Sequence, residues 1–209
     1  MNREILEQAF DARFPTEMKD KLRNAYVAIA GLGGLGSNLA VMLARSGVGH
    51  IGMVDFDVVD VTNLNRQVYG IPHVGKYKTE ALKEILDQIN PYLDYQFRRE
   101  KVTKENIREL FTGYPIVCEA FDQADQKAML VQELLTGFPD TIVISGNGMA
   151  GFGDANDIRT RKMMRRLYVC GDEKTDIADG VGLMSPRVTL CAAHQANKVL
   201  QIILEEKGE

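Results

Sequence analysis

The run Gly31-Leu32-Gly33-Gly34-Leu35-Gly36-Ser37 constrains this chain more than any other feature. It follows a strand-like apolar run, Tyr26–Ala30, and opens a segment with helical spacing of apolar residues, Gly34–Ser46. A strand, a tight glycine turn and a helix in that order form the context in which a G-x-G-x-x-G match signals a nucleotide site. The glycines let the backbone bend sharply and approach an anion, and the free N–H groups and positive end of the helix then favour phosphate. A turn needed only for close helix–strand packing is the plainer alternative.

The rest of the chain repeats this alternation. Strand-like runs recur at His50–Val54, Leu93–Arg98, Pro115–Ala120 and Thr141–Ser145, and helical spacing at Lys78–Asn90, Glu105–Phe111, Ala124–Leu135 and Arg187–Glu205. Such alternation predicts an α/β, Rossmann-like fold, with a mostly parallel sheet and helices on both faces. Glu4–Phe10 reads as an extra helix leading in. From Gly146 to Ser185 the pattern weakens into a glycine-punctuated, charged stretch with one possible strand at Arg166–Cys170, which predicts a loop-rich C-terminal insertion. With no Pro/Ser-rich linker, residues 1–209 are expected to form one domain.

A net charge of -4 and a pI near 5.5 argue against a broad nucleic-acid footprint. No apolar run approaches the roughly 18 residues of a membrane helix, and the opening Met1-Asn2-Arg3-Glu4 is unlike a signal peptide, so a cytoplasmic protein with no membrane partner is expected. Cys118, Cys170 and Cys191 form no C-x-x-C pair. Cys118 and Cys191 lie in apolar stretches; Cys170 is the thiol to test for reactivity.

Asp55-Phe56-Asp57 closes the second strand about 20 residues beyond the glycine loop, the usual place for a carboxylate that accepts from ribose hydroxyls. Asp55 is the first candidate, with Asp57 beside it in the same nucleotide site. To this point an NAD-dependent oxidoreductase explains the residues equally well. Further along, Thr62-Asn63-Leu64-Asn65-Arg66-Gln67 and Val74-Gly75-Lys76-Tyr77-Lys78 add an arginine and a lysine. A dinucleotide has no such requirement. Attack on the α-phosphorus of a triphosphate does, because charge builds on nonbridging oxygens and on departing pyrophosphate.

Taken together, G-L-G-G-L-G-S, D-F-D, T-N-L-N-R-Q and V-G-K-Y-K resemble the ubiquitin-activating superfamily, in particular its bacterial ThiF and MoeB members. The resemblance is strong over Ala25 to Leu135 and continues more loosely through Gly180-Val181-Gly182-Leu183-Met184-Ser185-Pro186-Arg187, most like a short ThiF-type branch. It implies that Gly31, Gly33, Gly34 and Gly36 receive the phosphates of ATP and Asp55 the ribose. Asn63, Arg66, Gln67 and Lys78 would then meet the β- and γ-phosphates and the reacting centre. In the family a D-x-x-D-N motif follows the fourth strand. Asp122-Gln123-Ala124-Asp125-Gln126 stands there, which implies Asp125 as the magnesium ligand and Asp122 as the reserve, Asp122 otherwise serving as a helix N-cap.

The departures are specific. Gln126 replaces the usual Asn, Leu130 stands where an Arg often follows, and the zinc-binding C-x-x-C pairs are absent. Asp176-Ile177-Ala178-Asp179 occupies the place of the catalytic cysteine that some relatives carry before the glycine matching Gly180. The resemblance therefore implies ATP-dependent adenylation of the C-terminal carboxylate of a ubiquitin-like sulfur-carrier protein, ThiS-like and so tied to thiamine biosynthesis, with the reaction ending at the acyl-adenylate. Its rivals are adenylation of a small or tRNA-attached carboxylate, an NAD-dependent oxidoreductase, and a nucleotide-binding scaffold without catalysis. It also implies a homodimer in which Arg13, upstream of the first strand, reaches the partner's ATP.

Overall fold

A computed structural model describes residues 2–205. Its strands are β1 Tyr26–Ala30, β2 His50–Val54, β3 Asp94–Arg98, β4 Ile116–Glu119, β5 Ile142–Gly146, β6 Arg159–Met164 and β7 Leu167–Gly171. They form one sheet in the order β3-β2-β1-β4-β5-β7-β6, parallel throughout except that β6 runs antiparallel to β7. The helices are α1 Arg3–Asp11, α2 Thr16–Arg23, α3 Gly34–Arg45, α4 Lys78–Ile89, α5 Ile107–Phe111, α6 Ala124–Gly137 and α7 Ser185–Glu205.

The strands alternate their side chains between two cores. Val27 and Ile29 of β1 face Leu39 and Leu43 of α3, Leu82 and Leu86 of α4, and Val188 and Val199 of α7. Ala28 and Ala30 face the other way, onto Phe111 of α5 and Leu130 and Leu134 of α6. Helices thus cover both faces, and the buried strands read as continuous apolar runs because neither face meets water. The chain winds outward from β1 to β3, then returns to place β4 on the other side of β1. That reversal opens a crevice at the carboxyl ends of β1 and β4, the site of ligands in open α/β sheets.

Residues 146–185 are loop-rich, with two strands where the sequence pattern offers one. β7 joins β5, and β6 closes the sheet as an edge. β6 is almost wholly exposed, so it lacks the alternating apolar residues that announce a strand. The turn that follows is anchored by Arg166, whose guanidinium donates to the carbonyls of Leu135, Phe138 and Thr141 at the end of α6. α2, rich in charge, has no counterpart among the expected helices either; only Leu22 of it is buried, in the core that α3, α4 and α7 share.

Candidate functional site

A cleft of about 490 Å³ opens where the topology reverses. One wall is the glycine loop. Gly31 adopts φ +92, a left-handed conformation that strains any side chain, and a Cβ there would stand 2.9 Å from the Ala120 carbonyl oxygen. At Gly36 a Cβ would fall 1.8 Å from the Gly31 carbonyl oxygen, so the start of α3 sits directly on the turn. Gly33 precedes α3 without a side-chain cap, leaving the first-turn N–H groups of α3 for an anion in the cleft.

Buried polar groups lock this loop. Asp55, 8% exposed, accepts from the Leu32 N–H at 2.6 Å and from the Asp57 N–H at 2.7 Å. Burial raises its carboxyl above the usual range despite Lys78 nearby. Lys78, first residue of α4 and also buried, places Nζ 2.7 Å from Asp57 and 3.8 Å from Asp55. The Tyr69 hydroxyl donates to the Leu32 carbonyl at 2.9 Å, and its own ionisation is driven far up by burial. Tyr69 escaped the sequence reading because nothing local separates it from any aromatic core residue.

The segment between β2 and α4 supplies the outer polar groups. Asn63 ends a 3-10 turn, with its side-chain oxygen accepting from the Asp60 N–H. Arg66 donates to the Thr62 carbonyl and to Asn65, and among the described residues has no carboxylate partner. Gln67 lies against Gly33, its side-chain oxygen buried and unpartnered. All three line the cleft, as do Asp57 and Lys78.

The turn from β4 into α6 separates the two acids of the D-x-x-D pattern. Asp122 lies in the turn and lines the cleft. Asp125 lies in the first turn of α6, exposed and outside the cleft lining, accepting from the Gln126 N–H. Leu130 is fully buried in the core. Lys127, which the sequence reading passed over, lines the cleft. Among the described residues no group of three or more His, Cys, Asp or Glu is arranged to hold a metal. Asp57, Asp60, Glu100, Asp122 and Asp176 line the cleft, and one such carboxylate fits an ion that fills the rest of its shell with polyphosphate oxygens and water.

The far wall comes from Gly146–Ala150 after β5 and from Thr175, Asp176, Ile177 and Leu183. It is anchored by Asp172, whose carboxylate receives Arg187 Nη2, the N–H groups of Lys174 and Thr175, and the Thr175 hydroxyl. Arg187 also donates to the Asp154 carbonyl. Burial alone would push the Asp172 carboxyl up, but these donors outweigh it and hold it below the usual value.

Two sequence candidates lie elsewhere. Arg13 sits in the turn after α1, between Phe10 and Phe14, which line a separate cavity with Gly49, His50 and Asp94. Those residues mark the amino ends of β2 and β3, so Arg13 is at the opposite end of the sheet from its own cleft. Cys170 is buried, and burial pushes its thiol up to about 11, the reverse of what a reactive thiolate needs. Cys118 and Cys191 are buried and raised further. No helix of the described residues is long and apolar enough to cross a membrane.

Known proteins are similar to this chain. The chain is 29% identical to the adenylyltransferase and sulfurtransferase uba4 of Aspergillus terreus, over 90% of this chain and 41% of that protein. It is 35% identical to the tRNA threonylcarbamoyladenosine dehydratase of Haemophilus influenzae, over 61% of this chain and 50% of that protein. It thus spans half or less of these relatives' lengths. The fold is that of the Escherichia coli tRNA N6-threonylcarbamoyladenosine dehydratase solved with AMP, with a TM-score of 0.86 at 21% identity, covering 97% of this chain and 95% of that one. Residues 6–209, which include the glycine loop, both walls of the cleft and α7, match the ThiF family, and the chain belongs to it.

Proposed function

We propose that this chain adenylates a carboxylate with ATP and magnesium, its substrate being the C-terminal carboxylate of a small ubiquitin-like sulfur carrier of the ThiS kind. The observation that carries this reading is that one cleft gathers an anion-ready helix start, Arg66, which has no carboxylate partner among the described residues, Lys78 and several carboxylates able to face a metal ion. In the reaction a carboxylate oxygen attacks the α-phosphorus, an O–P bond forms, the bond from that phosphorus to the bridging oxygen of pyrophosphate breaks, and acyl-AMP and pyrophosphate result. The nucleophile is already ionised at neutral pH, so no general base is required. The chain's part is to position the two anions and offset their charge.

Asp55 and Asp57 lie where the ribose of a nucleotide on the glycine loop would sit, each Asp55 oxygen keeping a lone pair beyond its backbone bond. Asp125, in the first turn of α6 and flanked by the cleft-lining Ala124 and Gln126, is the proposed magnesium ligand, with Asp122 of the preceding turn as the reserve. Magnesium held there would neutralise polyphosphate charge. Among the described residues no thiol lines the cleft, which supports a reaction ending at the acyl-adenylate. ATP–pyrophosphate exchange tests the reading. Exchange is expected only when a carrier with a free C-terminal carboxylate is present, and exchange indifferent to every such carrier would discard it.

A second reading, adenylation of a carboxylate carried on tRNA, is favoured by the β6 edge. Arg159, Arg161, Lys162, Arg165 and Arg166 fall within eight residues, although Arg161 pairs with Glu173 and Arg166 anchors α6. Stimulation of the same exchange by tRNA instead of carrier would choose it.

The distance of Arg13 from its own cleft supports a homodimer with Arg13 acting in trans. Arg13→Ala and Lys78→Ala subunits, each inactive alone, are expected to regain part of the activity when mixed. No recovery despite subunit exchange would discard the trans arginine.

A further inference from the structure

Glu173, two residues past the end of β7, has φ +59; among the described residues every other position with positive φ is a glycine. A left-handed backbone is unfavourable for a residue with a side chain and persists only where its surroundings over-determine it. A glycine there would carry no such strain, so the glutamate side chain must contribute something that a glycine cannot.

The surroundings are two interlocked turns. The Asp172 N–H donates to the Gly148 carbonyl at 2.9 Å and the Glu173 N–H to the Asn147 carbonyl at 3.1 Å. They meet so closely that a Cβ on Gly171 would stand 1.7 Å from the Asn147 carbonyl oxygen, and one on Gly148 2.5 Å from the Glu173 nitrogen. Both turns lead into the far wall of the cleft. Asn147 and Gly148 line it from one side of the corner, Thr175, Asp176 and Ile177 from the other. Asp172 then takes the Lys174 and Thr175 N–H groups on its carboxylate, so the direction set at Glu173 passes directly to the lining residues.

Among the described residues the Glu173 carboxylate has one partner, the Arg161 guanidinium, which donates to it from β6. Arg161 stands opposite Val169 of β7, so the pair reaches from the edge strand along the hairpin to the corner. A partly exposed ion pair adds little to global stability. Set against a strained backbone of similar cost, the same small term can hold one local placement of the chain.

We infer that Glu173 and Arg161 are positioning residues: their ion pair holds the left-handed corner after β7 and so fixes Thr175, Asp176 and Ile177 where the far wall meets the carboxylate substrate. This rests on the adenylation reading given above for what the wall binds.

Amide hydrogen exchange of the unliganded protein reads the corner and needs no substrate. In Arg161→Ala the Lys174 and Thr175 amides are expected to exchange about threefold to fivefold faster, the factor that one partly exposed ion pair supplies, with the glycine-loop amides unchanged. ATP–pyrophosphate exchange with a ThiS-like carrier then reads the purpose. Arg161→Ala and Glu173→Gly are expected to raise KM for the carrier by a similar factor while kcat and KM for ATP stay within about twofold. Glu173→Gly removes the strain together with the carboxylate, so this variant tests the pair without endangering the fold. Arg161→Ala/Glu173→Gln is expected to be no worse than either single variant, since one interaction is lost only once. Wild-type amide exchange in Arg161→Ala overturns the inference, as do additive losses in the double variant or equal rises in KM for carrier and ATP, the mark of general loosening. If no carrier supports pyrophosphate exchange, the adenylation reading falls by itself, and amide exchange still judges the corner.

Discussion

The two walls of the cleft are built on different principles. The glycine-loop wall is backbone held by buried side chains: Asp55 and Tyr69 bind opposite ends of Leu32, and Gly31 and Gly36 are pressed against main chain. The far wall is loop tied by a few long-range bonds, the Asp172–Arg187 pair, Asn65 to the Leu183 carbonyl and the Gly151 N–H to the Gly182 carbonyl, from which its lining residues Ala150, Ile177 and Leu183 hang. A rigid wall suits a ligand whose shape never changes, such as a nucleotide. A wall made of loops suits the variable partner, here the proposed carboxylate donor.

The contrast can be broken most severely at Gly36. Gly36→Ala puts a methyl 1.8 Å from the Gly31 carbonyl oxygen, and a loss of about 4 kcal/mol or failure to fold is expected in a denaturant melt. A melt within 0.5 kcal/mol, in round terms, of wild type would mean the wall is not rigid. Next, Lys78→Ala is expected to lower kcat/KM for exchange by about 10²–10³, the usual effect of removing a preorganised charge at a reacting phosphate. A tenfold smaller effect would confine Lys78 to holding Asp57.

Asp172→Asn should act on the far wall alone, raising KM for the carboxylate substrate while leaving KM for ATP within about twofold, with a stability loss of about 3 kcal/mol from stranding Arg187. The pH dependence has a definite sign. The folded-state carboxyl of Asp172 is depressed, so its contribution is present above the ordinary value of 3.8 and is lost as pH falls through the lower folded value. The gap in melting temperature between wild type and Asp172→Asn should therefore close only below that ordinary value, and closure near neutrality would contradict the assignment. Asp55 has the opposite sign. Its raised value means that its ionised form costs stability, and that cost falls as pH drops toward the ordinary range. The smallest change in stability is expected from Asp125→Ala, because Asp125 is exposed, while exchange is lost with the proposed metal ligand. Near-wild-type exchange in Asp125→Ala would move the metal to Asp122.

The glycine loop, the parallel order of its strands and the acids after β2 were legible in the chain because each is a local necessity. Only glycine tolerates φ +92 at Gly31, and only a strand followed by a helix brings Asp55 back to Leu32. The Asp122–Asp125 spacing was equally visible, but a sequence does not say which acid precedes the first helical turn. The Phe121 turn before them is tied by Glu119 and Lys127, eight positions apart, and by Ser145 from the next strand, none of which a local pattern announces. β6 and the Asp172–Arg187 knot were likewise hidden. An edge strand needs no apolar face, and an ion pair across fifteen residues has no periodicity. What the sequence determined by itself is the set of conformations only glycine and alternating apolar runs allow. Which charged groups meet only the tertiary structure decided, because burial makes a charge costly unless a partner from elsewhere in the fold arrives at hydrogen-bond distance.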